Sequence, residues 1–232
     1  RPGRAVGTIP VRTPGRPRAG SPWQRTAACT DRASPAPAAA HTSSLGAVAD
    51  ALTAFPSDGY TARWRTWDHE HLETLTLRWE NEGWTATGEV GREAVTYVLR
   101  LSATWQVRQF LLFRDLDEPD LWLGADGTGR WGEINGAHRH DLAGCTDVEL
   151  SITPFTTSVP IRRLGLAVGD GAEVATALID VETLGVIPAG HHLERVAARR
   201  FRRTDLVSGQ AVEFNVDEYG LVHDTPDAFR RL

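Results

Sequence analysis

Between Tyr60 and Phe113 apolar side chains recur at every second residue, and short turn signals break the run. Leu75, Leu77 and Trp79 alternate with Thr76 and Arg78. Val95, Tyr97, Leu99 and Leu101 alternate with Thr96, Val98 and Arg100, and Trp105, Val107, Gln109 and Leu111 follow in the same phase. A period of two is that of a strand with one face buried and the other wet. Turn residues at Asn81-Glu82-Gly83 and near Gly91-Arg92 predict consecutive antiparallel strands in an up-and-down sheet. In the last strand Phe110 and Leu112 oppose Leu111 and Phe113, so it is expected to be covered on both faces.

The pattern continues beyond this meander. A hairpin is predicted from Leu121 to Trp131, a loop from Ile134 to Gly144, and a strand from Val174 to Val181 behind the turn Gly169-Asp170-Gly171. Leu193 to Phe201 fits a helix or a wet-faced strand, and Val212, Phe214 and Val216 open a closing hairpin that turns at Asp217 to Gly220. One short helix is expected from a Ser44 cap through Leu45, Val48, Ala49, Leu52 and Phe55, ended by Pro56. Roughly ten strands and one or two short helices describe a mainly β fold, a curved antiparallel sheet forming a half or incomplete barrel. Its concave face, with Leu99, Leu101, Val107 and Leu111 turned inward, would suit an apolar ligand.

Composition divides the chain in two. Residues 1–44 are rich in Arg, Pro and Ala without apolar period, which predicts a disordered tail. Residues 45–232 form the expected single β domain. Seven of the 25 basic residues and one of the 30 acidic ones fall before residue 46, leaving 18 Arg against 29 acids in the body. An acidic body argues against a nucleic-acid partner, which needs clustered cations. Cys29 and Cys145 are too few and too far apart for a disulfide framework, no run is apolar for long enough to make a membrane helix, and no secretory pattern is visible. The expectation is a cytoplasmic protein without a transmembrane segment.

Residues Gly144 to Val168 hold the densest run of strand formers. Val148, Leu150 and Ile152 alternate with Asp147, Glu149 and Ser151, and Pro154 marks an edge, a bulge or a strand end. From Val159 a second strand is expected, with Ile161 out of phase with Leu164 and Leu166, so a bulge is placed near Arg162-Arg163. The two guanidiniums would then point to different faces. The favoured reading is one solvated arginine plus a rim salt bridge; the alternative is a functional anion contact.

Candidates for chemistry are few. His69 and His71 would share a strand face and could hold a metal if a third ligand converged, but no motif supplies one. Acid/base pairs could be drawn from Asp147, Glu149, Glu213 or Asp217 without any spacing that unites them, and Cys145 reads as a small buried residue rather than a nucleophile. Neither a cofactor motif nor a metal set is recognised. Of the eight Trp, seven lie between residues 64 and 131. Trp64, Trp67, Trp79 and Trp105 are candidates for meeting an amphipathic ligand, against the plainer reading of core and edge residues.

The run TDVELSITPFTTSVPIRRL, from Thr146 to Leu164, resembles the signature of the bacterial glycolipid-binding family, as do the entry segment from Trp64 to Leu77 and the closing VDEYGLVHDTPDAFRR. The family usually shows Asn where this chain has Thr157. The resemblance implies a half-barrel similar to the lipoprotein carriers. It marks Asp147, Pro154, Pro160, Arg162 and Arg163 as structural or pocket-rim positions and brings no catalytic residue. The expected function is non-catalytic binding of an amphipathic small molecule or glycolipid in the concavity, with Trp side chains and Arg162 or Arg163 meeting the head group. Alternatives are a metal-assisted enzyme using His69 and His71, or a protein-interaction module with an exposed sheet edge.

Overall fold

A computed structural model describes residues 51–67, 69–91, 95–114, 118–226 and 228–232. The predicted tail at residues 1–44, and the Ser44 to Asp50 part of the predicted first helix, lie outside the described residues. The remainder of that helix is not formed. Ala51 to Phe55 run as irregular chain, tied down by Thr53 N–H donating to Glu218 O at 2.7 Å.

The meander forms as its alternation dictates. Strands β1 (Tyr60–Thr66), β2 (Leu72–Glu80), β3 (Gly83–Val90), β4 (Val95–Ser102), β5 (Val107–Phe113), β6 (Leu121–Ala125) and β7 (Trp131–Gly132) pair in sequence, each antiparallel to the last. Asn81 and Glu82 both take positive φ, 51° and 59°, the geometry of a tight two-residue hairpin turn. The expected phase of β5 is broken by a bulge. Leu101 pairs with Val107 while Arg100 pairs with Gln109, so Arg108 is the extra residue and the strand turns over. Val107, Phe110 and Leu112 are buried, whereas Leu111 sits half-buried on the outer face, correcting its inward assignment.

The second half supplies β8 (Asp147–Leu150), β9 (Gly171–Ile179), β10 (Val186–Ala197), β11 (Arg200–Asp205), β12 (Ala211–Val216), β13 (Val222–Thr225) and β14 (Phe229–Arg231). The ambiguous Leu193–Phe201 region is therefore a hairpin of two strands. All 14 strands join one sheet in the order β7-β6-β5-β4-β3-β2-β1-β14-β13-β12-β11-β10-β9-β8. It is curved and unclosed, an incomplete barrel.

One pair departs from antiparallel. β8 and β9 are parallel neighbours, and parallel neighbours need a crossover. That crossover is the helix α1 (Phe155–Leu164), which replaces the strand and bulge expected around Arg162-Arg163. Thr153 Oγ1 accepts Phe155 N–H at 3.0 Å, Thr157 N–H reaches Pro154 O, and Gly165 in the left-handed region ends the helix. Pro160 lies inside α1, where its missing N–H leaves Thr156 without a helical donor.

Two cores result. Leu75, Leu77, Tyr97, Leu99, Phe110, Leu112 and Leu123 pack with Val148, Leu150, Ala177 and Ile179 and with Phe155 and Val159 of α1. Ile161 packs instead with Val174, Leu193, Phe201, Phe214, Val216 and Val222. Thus α1 contributes to both clusters, Phe155 and Val159 to the first and Ile161 to the second, and β9 likewise, with Ala177 and Ile179 in the first and Val174 in the second. The two ends of the sheet are fastened without a ladder: Trp131 Nε1–H donates to Cys145 O at 2.8 Å, Gly144 N–H to Gly129 O at 2.9 Å and Arg139 to Val186 O at 3.1 Å.

Candidate functional site

The central motif becomes β8, a turn and α1, and its polar residues are distributed around that helix. Asp147 is fully buried and accepts Arg163 Nη2 at 2.5 Å and Nε at 3.2 Å. The anchoring carboxylate that an inward arginine requires is therefore Asp147, and Arg163 is committed to it. Pro154 holds the N-terminal cap position of α1 and Pro160 is buried within it.

Arg162 goes the other way, into an aromatic cage. Its guanidinium carbon is 4.6 Å from the ring centroids of both Phe55 and Trp105, and Nη1 donates to Tyr219 O and to Thr53 O. Phe55 stacks on Tyr219 at 5.0 Å, Trp84 on Trp105 at 5.9 Å, and Trp79 meets Trp84 edge-on. Burial pulls the Arg162 pKa down to about 10, so it remains charged at neutral pH.

Trp105 and Arg162 are thus brought together, with Trp79 at the edge of the same cluster. Trp64 lies elsewhere, wholly enclosed, its Nε1–H donated to Val222 O at 2.7 Å and its face under Arg231. Trp67 is exposed against Arg230. Leu99, Leu101 and Val107 are sealed in the core, and Val107 borders only a recess of about 40 Å³ shared with Cys145 and Arg163. His69 takes a positive φ at a turn, and among the described residues no three His, Cys, Asp or Glu side chains converge as metal ligands.

An open concavity lies on the other side of α1. A cleft of about 360 Å³ is lined by Thr157 of α1, Arg203 and Asp205 of β11, Ser208 and Gln210 of the following turn, Val212 and Phe214 of β12, and Thr225 of β13. Phe214 is buried and stacks on Phe201, giving an apolar floor under a polar rim. Thr157, where the resemblance noted in the sequence expects Asn, is one of the residues lining that cleft. At its mouth the β11–β12 tip exposes Leu206 and Val207, the latter 94% exposed.

Behind Arg203 stands a buried polar group. Glu149 accepts Arg203 Nη2 on one oxygen and Thr176 Oγ1 at 3.2 Å on the other, with His191 Nδ1 3.8 Å away. His191 is 2% exposed and neither ring nitrogen has a hydrogen-bond partner. Burial, then the nearby Arg203 charge, pulls its pKa down to about 3, so the ring is neutral.

A second interior polar set lies on the other side of the helix start. Glu73 of β2 accepts Tyr97 OH at 2.6 Å and Thr153 Oγ1 at 2.7 Å, while its other oxygen has no partner. Burial raises its pKa to about 7 against the pull of those two hydrogen bonds. Room for Tyr97 comes from Gly88 opposite it, where a Cβ would fall 2.1 Å from the ring.

The sequence profile described as "Putative glycolipid-binding" matches residues 61–231. The chain belongs to that family. The glycolipid-binding family fold extends to a crystal structure at 1.80 Å of a DUF1089 family protein from Pseudomonas aeruginosa, 30% identical, with a TM-score of 0.57, covering 78% of this chain and 96% of that one. A search of curated proteins finds no match. Among the described residues no helix is long and apolar enough to cross a membrane.

Cleft residues beyond Thr157 were not singled out by sequence reasoning. Phe214 and Val212 were visible only as strand alternation, and Arg203 only as part of the Arg-rich run. Glu73 did leave a signal: it shares the phase of Leu75 and Leu77, so it had to point into the core.

Proposed function

We propose that the protein binds one amphipathic ligand of the glycolipid class, without chemistry, in the cleft between α1 and strands β11 to β13. The observation that carries this reading is the composition of the cleft: donors and acceptors of both signs on the rim, from Arg203, Asp205, Ser208, Gln210 and Thr157, over an apolar floor at Phe214 and Val212. Mixed rims suit a polyhydroxylated head group, and an aromatic floor suits its C–H face. The filled meander core leaves no space for an acyl chain there, so the alkyl part runs out over Val212 toward the exposed Leu206 and Val207.

Titration calorimetry with octyl glucoside, below its micellar concentration, tests this. Octyl glucoside is expected to bind more tightly than glucose, and Val212→Arg, a change at a partly exposed position, is expected to weaken it by about tenfold or more through loss of apolar surface. Equal binding by the variant and the wild type would place the ligand elsewhere.

A further inference from the structure

A further groove, of about 690 Å³, lies on the opposite surface, the outer face of β4 to β7. Its floor is a row of register partners across four strands: Arg100, Gln109, Gly124 and Gly132. A Cβ on Gly124 would fall 2.8 Å from Trp122 Cη2. The far end of the indole therefore leans along its own strand into the space the glycine leaves, and Trp122 lines the groove half-buried.

The charge of this groove runs against that of the body. Arg100, Arg108 and Arg130 all line it and all are exposed. Among the described residues none of the three forms a salt bridge, although the Asp126 carboxyl, held below its usual range first by hydrogen bonds from Thr128, also feels the Arg130 charge; Arg108 donates to Asp126 O at 2.9 Å and to Gln106. Both lining acids already have partners. Asp126 Oδ1 accepts Thr128 N–H at 2.7 Å, Thr128 Oγ1–H and Arg130 N–H within its own turn, and Glu133 pairs with Arg139 at 3.4 Å. Three exposed cations thus lie around a half-buried indole on a body that is otherwise acidic.

We infer that this outer groove is a second binding site, for a pyranose that carries a carboxylate or phosphate. The ring would stack its C–H face on Trp122, and the anionic group would take the forked donors of Arg100 or Arg130, which match carboxylate and phosphate geometry. Gln109 on the floor and His138 beside it supply donors and acceptors for hydroxyls. This site does not depend on the cleft beside α1.

The test is titration of the full chain, by tryptophan fluorescence, with glucuronate and glucose 6-phosphate against glucose, inorganic phosphate and adenosine monophosphate. Both charged sugars should bind at least about tenfold more tightly than glucose or inorganic phosphate, and Trp122→Ala and the double change Arg100→Glu, Arg130→Glu should each cost about tenfold or more. Val212→Arg in the concave cleft should change nothing here, which separates this site from the one proposed above. The arginine positions are exposed, so that variant keeps the test valid if Trp122→Ala fails to fold by circular dichroism. Equal binding of inorganic phosphate, tighter binding of the nucleotide, absence of charged-sugar binding, or charged-sugar binding unchanged in the arginine variant would each overturn the proposal.

Discussion

Arg163 on the last turn of α1 forks onto the fully buried carboxylate of Asp147, Nη2 to Oδ2 at 2.5 Å and Nε to Oδ1 at 3.2 Å. The pair ties the crossover helix back to the strand that precedes it. Removing Arg163 leaves the fully buried Asp147 carboxylate without its partner, which costs about 3 to 5 kcal/mol, more than the net worth of the intact pair. Arg163→Ala should therefore lower urea stability by about that amount, Asp147→Ala by less because it leaves only the partly exposed Arg163 behind, and the double change should cost less than the sum of the singles. A loss below ~1 kcal/mol for Arg163→Ala would show that the pair does not hold α1 in place.

The interior acid and the interior imidazole should make stability depend on pH in opposite senses. Glu73 has its pKa raised from 4.5 to about 7, so between these values the native state keeps a proton that the unfolded chain has released. Its contribution therefore falls as pH rises through that window. His191 has its pKa lowered from 6.5 to about 3, so the unfolded chain takes up the proton first and the His191 contribution is lost as pH falls from 6.5 toward 3. The two offset one another between 4.5 and 6.5. Glu73→Gln removes one side, and its stability relative to wild type should rise by roughly 3 kcal/mol between pH 4.5 and 7.5. Parallel pH curves for the two proteins would contradict the buried, protonated acid.

The bulge at Arg108 makes a clean test of which face is the core. Leu101 is buried on the inner face and Leu111 half-buried on the outer one. Leu101→Ala should cost about 2 to 5 kcal/mol and Leu111→Ala clearly less, read from denaturant midpoints. Equal losses would mean that the strand does not turn over.

Cys145 should be chemically quiet in the native state. Its thiol is buried, donates to Thr176 O at 3.3 Å, and has its pKa raised by burial. Reaction with an aromatic disulfide reagent should be slow until denaturant is added. Rapid reaction of the folded protein at this thiol would contradict its enclosure.

Strands were legible in the sequence wherever one face is wet, because burial then writes a period of two into the chain. Leu75 and Leu77, Tyr97 and Leu99, and Phe214 and Val216 are of this kind. The helix α1 was not, for a physical reason. Phe155 and Val159 face one core and Ile161 the other, while Thr156, Ser158 and Pro160 are buried too, so no polar stripe records a helical period. The parallel pairing of β8 and β9 was hidden with it, since only the crossover reveals it. The cleft draws on α1, β11, β12 and β13, elements far apart in sequence, and no local pattern unites them. For the same reason the six candidate Trp and Arg residues, chosen by type, divide among the core, the Arg162 cage, the Asp147 pair and the surface.

The central claim is that a glycolipid-class molecule occupies the cleft beside α1. Native mass spectrometry of the full chain, with organic extraction of what co-purifies from a bacterial host and with octyl glucoside added to the emptied protein, tests it most directly. The expected result is one bound amphipathic molecule per chain, lost in Val212→Arg. A wild-type protein that carries no lipid and takes up no octyl glucoside, or a Val212→Arg variant that retains its ligand, would contradict it.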